Sequence, residues 1–309
     1  MNLTTFSFSS KGKDQLQIVA NRWKPDIPAR AVVQIVHGMA EHINRYDAFA
    51  SFLIQRGLVV YGNDHRGHGR TAGKENRGWF AEDQGFEQVV QDLYRLTQII
   101  RREQPGLPLF LFGHSMGSFL ARRIIQLHGD EYQGVILCGT GGDPGWLGRL
   151  GLRIARREVK KKGSQTPSPM MAKLITGGFN RRFRPRRTEV DWLSRDEREV
   201  DKYLEDSFCG GVLTAGFYRD LLEGLIMIHR EENIQLTPKN LPILLISGED
   251  DPVGDFGKGV RRVVQRYRRA GIKDLRCKLY TGARHELLNE LNREEVVQDV
   301  INWLEKHIN

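Results

Sequence analysis

Leu109-Phe110-Leu111-Phe112-Gly113-His114-Ser115-Met116-Gly117 is the stretch that decides how this chain reads. A short apolar run enters it and a helical pattern leaves it, so the serine falls on a tight turn between a buried strand and a helix. On such a turn the backbone is strained and the serine hydroxyl projects from the sheet edge. The positions two before and two after must lack bulk, and both are glycine, Gly113 and Gly117. The pattern reads as a nucleophile elbow. G-x-S-x-G is short and the chain holds 33 glycines, so the motif gains meaning only from its flanks and from partners elsewhere.

Outward from the elbow, strands and helices alternate. Upstream, residues 4–9 and 15–23 are extended and joined by the turn Lys11-Gly12-Lys13-Asp14, which predicts a hairpin. Strands follow at 31–36 and 58–61, with a helix at 46–55 between them and another at 86–102 before the elbow strand. The elbow helix spans 116–128 and a strand follows at 135–138. The rhythm then stops: from Pro144 to Gln235 helical runs dominate and no strand is expected. Ser168-Pro169 has the form of an N-cap with proline at the first helical position, and Ser194-Arg195-Asp196-Glu197 that of a capping box. Strands at 243–247 and 275–280 and helices at 260–270 and 294–307 restore the alternation. The organisation is therefore an α/β core over 1–143 and 236–309, with a mostly parallel sheet flanked by helices, interrupted by a helical cap over 144–235.

A serine hydroxyl needs a base to take its proton and a third group to orient that base. In folds built on this elbow the order along the chain is serine, acid, histidine. His128, His229, His285 and His307 follow Ser115, and only His285 lies in the loop after the last strand. His114 adjoins the serine but should point away from it, as a structural histidine. The acid belongs in the loop after strand 243–247, Gly248-Glu249-Asp250-Asp251-Pro252-Val253, where Asp251 is preferred and Asp250 is the alternative. Backbone donors for a developing oxyanion are expected at Met116, after the serine, and at Met39 in the loop His37-Gly38-Met39-Ala40-Glu41-His42. His37 and His42 are read as shaping that loop.

Size and charge set further bounds. No apolar run approaches the roughly 20 residues of a membrane helix, and the first residues lack the pattern of a secretory signal. Cys138, Cys209 and Cys277 are odd in number and far apart, which suggests buried free thiols in a reducing, cytoplasmic compartment. No Cys/His spacing suggests a metal site, and no cofactor is expected. The net charge of +9 is concentrated. Between Arg149 and Arg187 there are 13 Lys and Arg against the single acid Glu158, so the rest of the chain is net negative.

These motifs together resemble the α/β-hydrolase superfamily, in its monoacylglycerol lipase and lysophospholipase branch. The resemblance rests on His37 to His42 with Arg45-Tyr46, on Asp64-His65-Arg66-Gly67-His68-Gly69-Arg70, and on the elbow. It also rests on Asp191-Trp192-Leu193-Ser194-Arg195-Asp196, on Gly248 to Val253, and on Ala283-Arg284-His285-Glu286. It implies the α/β-hydrolase fold, a triad of Ser115, Asp251 and His285, and ester substrates with an acyl chain. A thioesterase or aminopeptidase-type hydrolase, or a silent binding protein, are the alternatives on the same scaffold. The basic density of Arg149 to Arg187 is a departure from the resemblance, which implies nothing about that stretch. Within it Trp146, Leu147, Leu150 and Ile154 fall on one helical face, expected to cover the substrate as a lid. Arg149, Arg153, Arg156, Arg157, Lys160, Lys161 and Lys162 fall largely on the other, either solvated or meeting an anionic membrane. Nucleic acid is not an expected partner, since no recognition motif accompanies the charge.

Overall fold

The computed structural model describes residues 2–12, 14–73 and 76–308. Its eight strands are β1 (Asn2–Ser9), β2 (Gln17–Lys24), β3 (Ala31–Val36), β4 (Leu58–Asn63), β5 (Leu109–His114), β6 (Gly134–Cys138), β7 (Ile243–Gly248) and β8 (Leu275–Tyr280). They form one sheet in the order β1-β2-β4-β3-β5-β6-β7-β8. β1, β2 and β4 pair antiparallel, and every pair from β4–β3 to β7–β8 is parallel. The expected hairpin is present, with Asn2 opposite Lys24 and Ser9 opposite Gln17, although Lys13 of its turn lies outside the described residues.

The helices are α1 (Asp47–Ile54), α2 (Gly69–Ala72), α3 (Gly85–Glu103), α4 (Met116–His128), α5 (Gly145–Lys162), α6 (Pro169–Ile175), α7 (Glu197–Glu205), α8 (Ala215–Ile228), α9 (Glu231–Gln235), α10 (Lys258–Arg269) and α11 (Arg293–Ile308). Two cores sandwich the sheet. In β3, Val32 and Val36 join the side covered by α3, α4 and α10, while Ala31, Val33 and Ile35 join the side covered by α1 and α11. That parity follows from the two-residue period of a strand buried on both faces. The buried polar member of β3, Gln34, is satisfied by donating to the Leu93 carbonyl and accepting from the Thr97 hydroxyl. Chain order reverses about β3, which places the loops after β3, β5, β6, β7 and β8 along one sheet edge.

Between β6 and β7 lie α5 to α9 and a 3₁₀ turn, Phe179–Arg182. Ser168 caps α6 as expected, accepting from the Met171 N–H, with proline at the first position. The capping box at Ser194 is not what forms. Asp196 caps α7 by accepting from the Arg198 N–H, and Ser194 accepts from the Asp196 N–H while donating to the Asn289 carbonyl.

The face that α5 buries also differs from expectation. Trp146 is 71% exposed, Leu147 62% and Leu150 44%, so these side chains point to solvent. The buried positions of α5 are Gly148, Gly151, Ala155 and Glu158, and the helix packs against α8. Small residues let the two backbones approach, with Leu222 in van der Waals reach of Gly151, and that contact turns the bulky side chains outward. Cys277 corrects a second expectation. Cys138 and Cys209 are buried, but Cys277 is exposed on β8, an edge strand paired on one side only. Among the described residues no helix is long and apolar enough to cross a membrane.

Candidate active site

Ser115 sits between β5 and α4 with φ 51° and ψ −122°, a conformation that L-residues avoid. The strain is held from all sides. The Ser115 N–H donates to the Cys138 carbonyl, and the Ser115 carbonyl accepts from the backbone and hydroxyl of Ser118. A Cβ on Gly117 would lie 2.0 Å from the Val36 carbonyl oxygen, and one on Gly113 would lie 2.5 Å from that of Gly117. Glycine is required at both positions by direct backbone approach.

Asp251 and His285 meet at the same edge, both buried. The imidazole Nδ1 lies 3.0 Å from Asp251 Oδ1. At that separation the carboxylate favours the protonated imidazole. Asp251 is itself fixed, accepting from the Val253 N–H and the Ser247 hydroxyl. Burial pulls the imidazole pKa down; the Asp251 carboxylate, by charge and hydrogen bond, together with the charges of Glu286 and Glu41 outweighs it, and His285 titrates above the ordinary histidine value. Asp250, the alternative acid, is exposed. The Ser115 hydroxyl makes no direct hydrogen bond to His285. The two are linked through β6: Cys138 accepts from Ser115, and a Cβ on the next residue, Gly139, would lie 3.1 Å from the His285 ring.

The other histidines serve elsewhere. His114 lies behind His285, ring centroids 4.8 Å apart, and burial pushes its pKa down to about 4. His37 stacks on His65 at 3.8 Å and accepts from the His65 N–H, which shapes the loop after β3. His128 stacks on Tyr94, His229 contacts the Leu225 carbonyl, and His307 pairs with Asp274.

Three side chains to which sequence reasoning gave no role hold this edge together. Glu41 accepts from the Gly38 N–H and the Tyr46 hydroxyl with one oxygen and from Arg45 with the other. Arg45 also makes two 2.7 Å bonds to Glu286, the residue after His285. Burial would raise the Glu286 pKa, but Arg45 overrides it and brings it down to about 2. The loop carrying Met39 is thereby tied to the loop carrying His285. Arg45 and Tyr46 were visible as a motif; their link to Glu286 spans 241 positions and left no local signal. Asp64 works similarly, accepting from the Ile43 N–H and from Arg70.

A cavity of about 350 Å³ opens at Ser115. Its lining is mainly apolar: Met39, Met116, Phe119, Ile175, Phe179, Trp192, Leu221, Leu225 and Val253 among others, with Asp143, Asp255 and Arg262 also present. The expected oxyanion donors Met39 and Met116 both border it. Trp192 joins the cavity to His285, with ring centroids 5.0 Å apart, and its carbonyl accepts from the His285 N–H. The α5 side chains expected to form the roof do not line it; Pro144, Ile175 and Thr176 do.

A strained serine on a strand–turn–helix, beside a buried carboxylate–imidazole pair at the parallel edge, defines a serine hydrolase of the α/β-hydrolase fold. Comparison with known proteins agrees. The Hydrolase_4 family, described as serine aminopeptidase S33, matches residues 27–292, and the chain belongs to that family. It is 29% identical over 306 residues to the monoacylglycerol lipase of Mycolicibacterium smegmatis, covering 99% of each chain. It is also 29% identical over 286 residues to the monoglyceride lipase of Homo sapiens, covering 91% of this chain and 84% of that one. The crystal structure of a thermostable carboxyl esterase from Bacillus coagulans matches with a TM-score of 0.92 at 30% identity over the full length of both chains.

Proposed function

We propose that the protein hydrolyses carboxylic esters of acyl chains, with monoacylglycerols, lysophospholipids and smaller acyl esters as the substrate class. Ser115 Oγ adds to the ester carbonyl as His285 takes its proton, and Asp251 orients and stabilises the resulting imidazolium. The Met39 and Met116 N–H groups hold the oxyanion, each worth on the order of 100–1000-fold in rate. His285 returns the proton to the departing alcohol. Water, deprotonated by the same imidazole, then releases the acid from Ser115. The observation that carries this reading is the opening of the strained Ser115 onto an apolar cavity of about 350 Å³, which suits an acyl chain better than a charged peptide terminus. The lipase and esterase names of its relatives support the same class.

Residues 144–235 act in this proposal as a cap over that cavity, and the outer face of the cap meets anionic membrane. All 13 Lys and Arg between Arg149 and Arg187 are exposed. Trp146, Leu147 and Leu150 of α5 and Met170 and Leu174 of α6 stand exposed among them. An apolar ridge set in basic charge suits an interface with anionic headgroups.

Two experiments test these statements. A panel of p-nitrophenyl esters of rising chain length, with monoacylglycerol and lysophosphatidylcholine, should show hydrolysis by the wild type and none by Ser115→Ala; equal rates for the two proteins would remove the proposal. Sedimentation with phosphatidylglycerol vesicles should show binding that falls as salt rises, and weak binding independent of salt would remove the membrane contact.

A further inference from the structure

We propose that His42, Asp206 and Cys209 form a binding site for a zinc-class divalent cation, placed where the cap meets the loop after β3. One nitrogen, one carboxylate oxygen and one sulfur of these residues lie within 4.8 Å of one another. His42 Nε2 is 2.8 Å from Asp206 Oδ2. The surroundings fix the set. The Phe208 N–H donates to the other carboxylate oxygen, Asp206 Oδ1, and the Cys209 N–H donates to the Asp206 carbonyl. The Phe208 ring packs against His42 at 5.5 Å. His42 and Cys209 are buried, while the Asp206 side chain is 30% exposed, which leaves an approach from solvent.

An imidazole, a thiolate and a carboxylate make an N, S, O donor set, which matches the borderline softness of Zn²⁺ and leaves a fourth position for water. Ligand bonds of about 2.0–2.3 Å place such donors about 3.3–3.6 Å apart. The His42–Asp206 pair therefore opens slightly on binding and the sulfur closes in. Binding forms a metal–sulfur bond and releases one proton from the Cys209 thiol to solvent. His42 donates from Nε2 to Asp206 in the metal-free protein, so its proton passes to Nδ1 through solvent as the metal takes Nε2. The bound charge of two is balanced by one thiolate and one carboxylate. Sequence spacing could not show this site, because His42 and Asp206 are 164 residues apart.

The position has a consequence. The Tyr203 hydroxyl and the Gly210 N–H both donate to the Ala40 carbonyl, so the end of the cap already grips the loop that carries Met39. A cation between His42 and Asp206 replaces their hydrogen bond with coordination bonds at the same seam and restrains the cap. Slower ester turnover with metal bound rests on the hydrolase proposed above; the binding does not.

The experiment titrates Co²⁺ into the full chain carrying Cys277→Ser, which removes the exposed competing thiol. The expected result is a thiolate-to-cobalt charge-transfer band that saturates at one equivalent and is displaced by Zn²⁺. The band should vanish in Cys209→Ser, with cobalt affinity at least ~10-fold weaker in both His42→Ala and Asp206→Asn. Circular dichroism confirms that each variant is folded, and Asp206→Asn serves if the buried substitutions are not. Absence of the band, or a band undiminished in Cys209→Ser, overturns the site. Loss of hydrolysis in Ser115→Ala leaves the cobalt spectrum unchanged, so this proposal and the proposed function fail separately.

Discussion

The sheet edge around Ser115 and the outer face of α5 stand at opposite extremes of the molecule. At the edge the groups around Ser115 are enclosed: Gly117 has backbone oxygens on the surface its Cβ would occupy, and Asp251, His285, Glu41 and Glu286 are all buried. On α5, Trp146 and Leu147 extend into solvent, and several of the basic residues there make no ion pair among the described residues. The edge is rigid because many backbone contacts determine each side chain. The face of α5 is exposed to solvent, and only in the proposed membrane contact would its apolar side chains be buried. Structure and chemistry are therefore coupled at the edge and separable on the cap.

That contrast can be broken or sharpened in four ways. The largest effect is expected from Asp251→Asn, which removes the charge that holds the His285 pKa up. Catalysis needs the imidazole neutral, so wild-type activity falls as pH drops through a value above the ordinary histidine pKa. The variant should lose on the order of 10⁴-fold in kcat and shift its acid limb to lower pH, measured by a pH–rate profile. An unchanged profile would separate Asp251 from the chemistry.

Next comes a pair of alanine substitutions at glycines. Gly117→Ala drives a Cβ to 2.0 Å from the Val36 oxygen, whereas Gly145, at the start of α5, has φ 59° and nothing within 4 Å of the added atom. The first should cost more than about 4 kcal/mol and the second about 1–2 kcal/mol, the strain of a left-handed backbone alone. Denaturant unfolding measures both, and similar losses would erase the distinction between edge and cap.

Arg45→Met tests the buried link between the loops of Met39 and His285. It strands Glu41 and Glu286 and should destabilise by about 3–5 kcal/mol. The Glu286 pKa of about 2 lies below its ordinary 4.5, so its contribution is full above pH 4.5 and is lost as pH falls from there towards 2. Thermal unfolding against pH should show that slope in the wild type and not in Arg45→Met.

The smallest effect on stability belongs to Trp146→Ala with Leu147→Ala. Both side chains are exposed, so unfolding should change by less than about 0.5 kcal/mol while vesicle binding drops. Destabilisation beyond that would mean the ridge is packed rather than presented.

Most of the core was legible because strands buried on both faces and amphipathic helices leave strong local patterns. The elbow helix Met116–His128 and the last strand Leu275–Tyr280 have the expected bounds, and α3 differs by one residue at each end. What the pattern hid was decided by contacts distant in sequence. The orientation of α5 depends on how closely Gly151 lets it approach Leu222 of α8, which periodicity alone does not show. The start of α7 depends on Ser194 being drawn to Asn289. At the candidate site, loop position separated His285 from the other histidines, but burial beside the imidazole is what distinguishes Asp251 from Asp250. The salt bridge from Arg45 to Glu286 was invisible for the same reason of distance.

The central claim is that Asp251 and His285 activate Ser115. Mass spectrometry of the protein after reaction with a fluorophosphonate tests it most directly. The account predicts one adduct per chain, on Ser115, forming faster as pH rises through the His285 pKa and lost in His285→Ala. An adduct on another residue, or labelling of Ser115 as fast in His285→Ala as in the wild type, would contradict it.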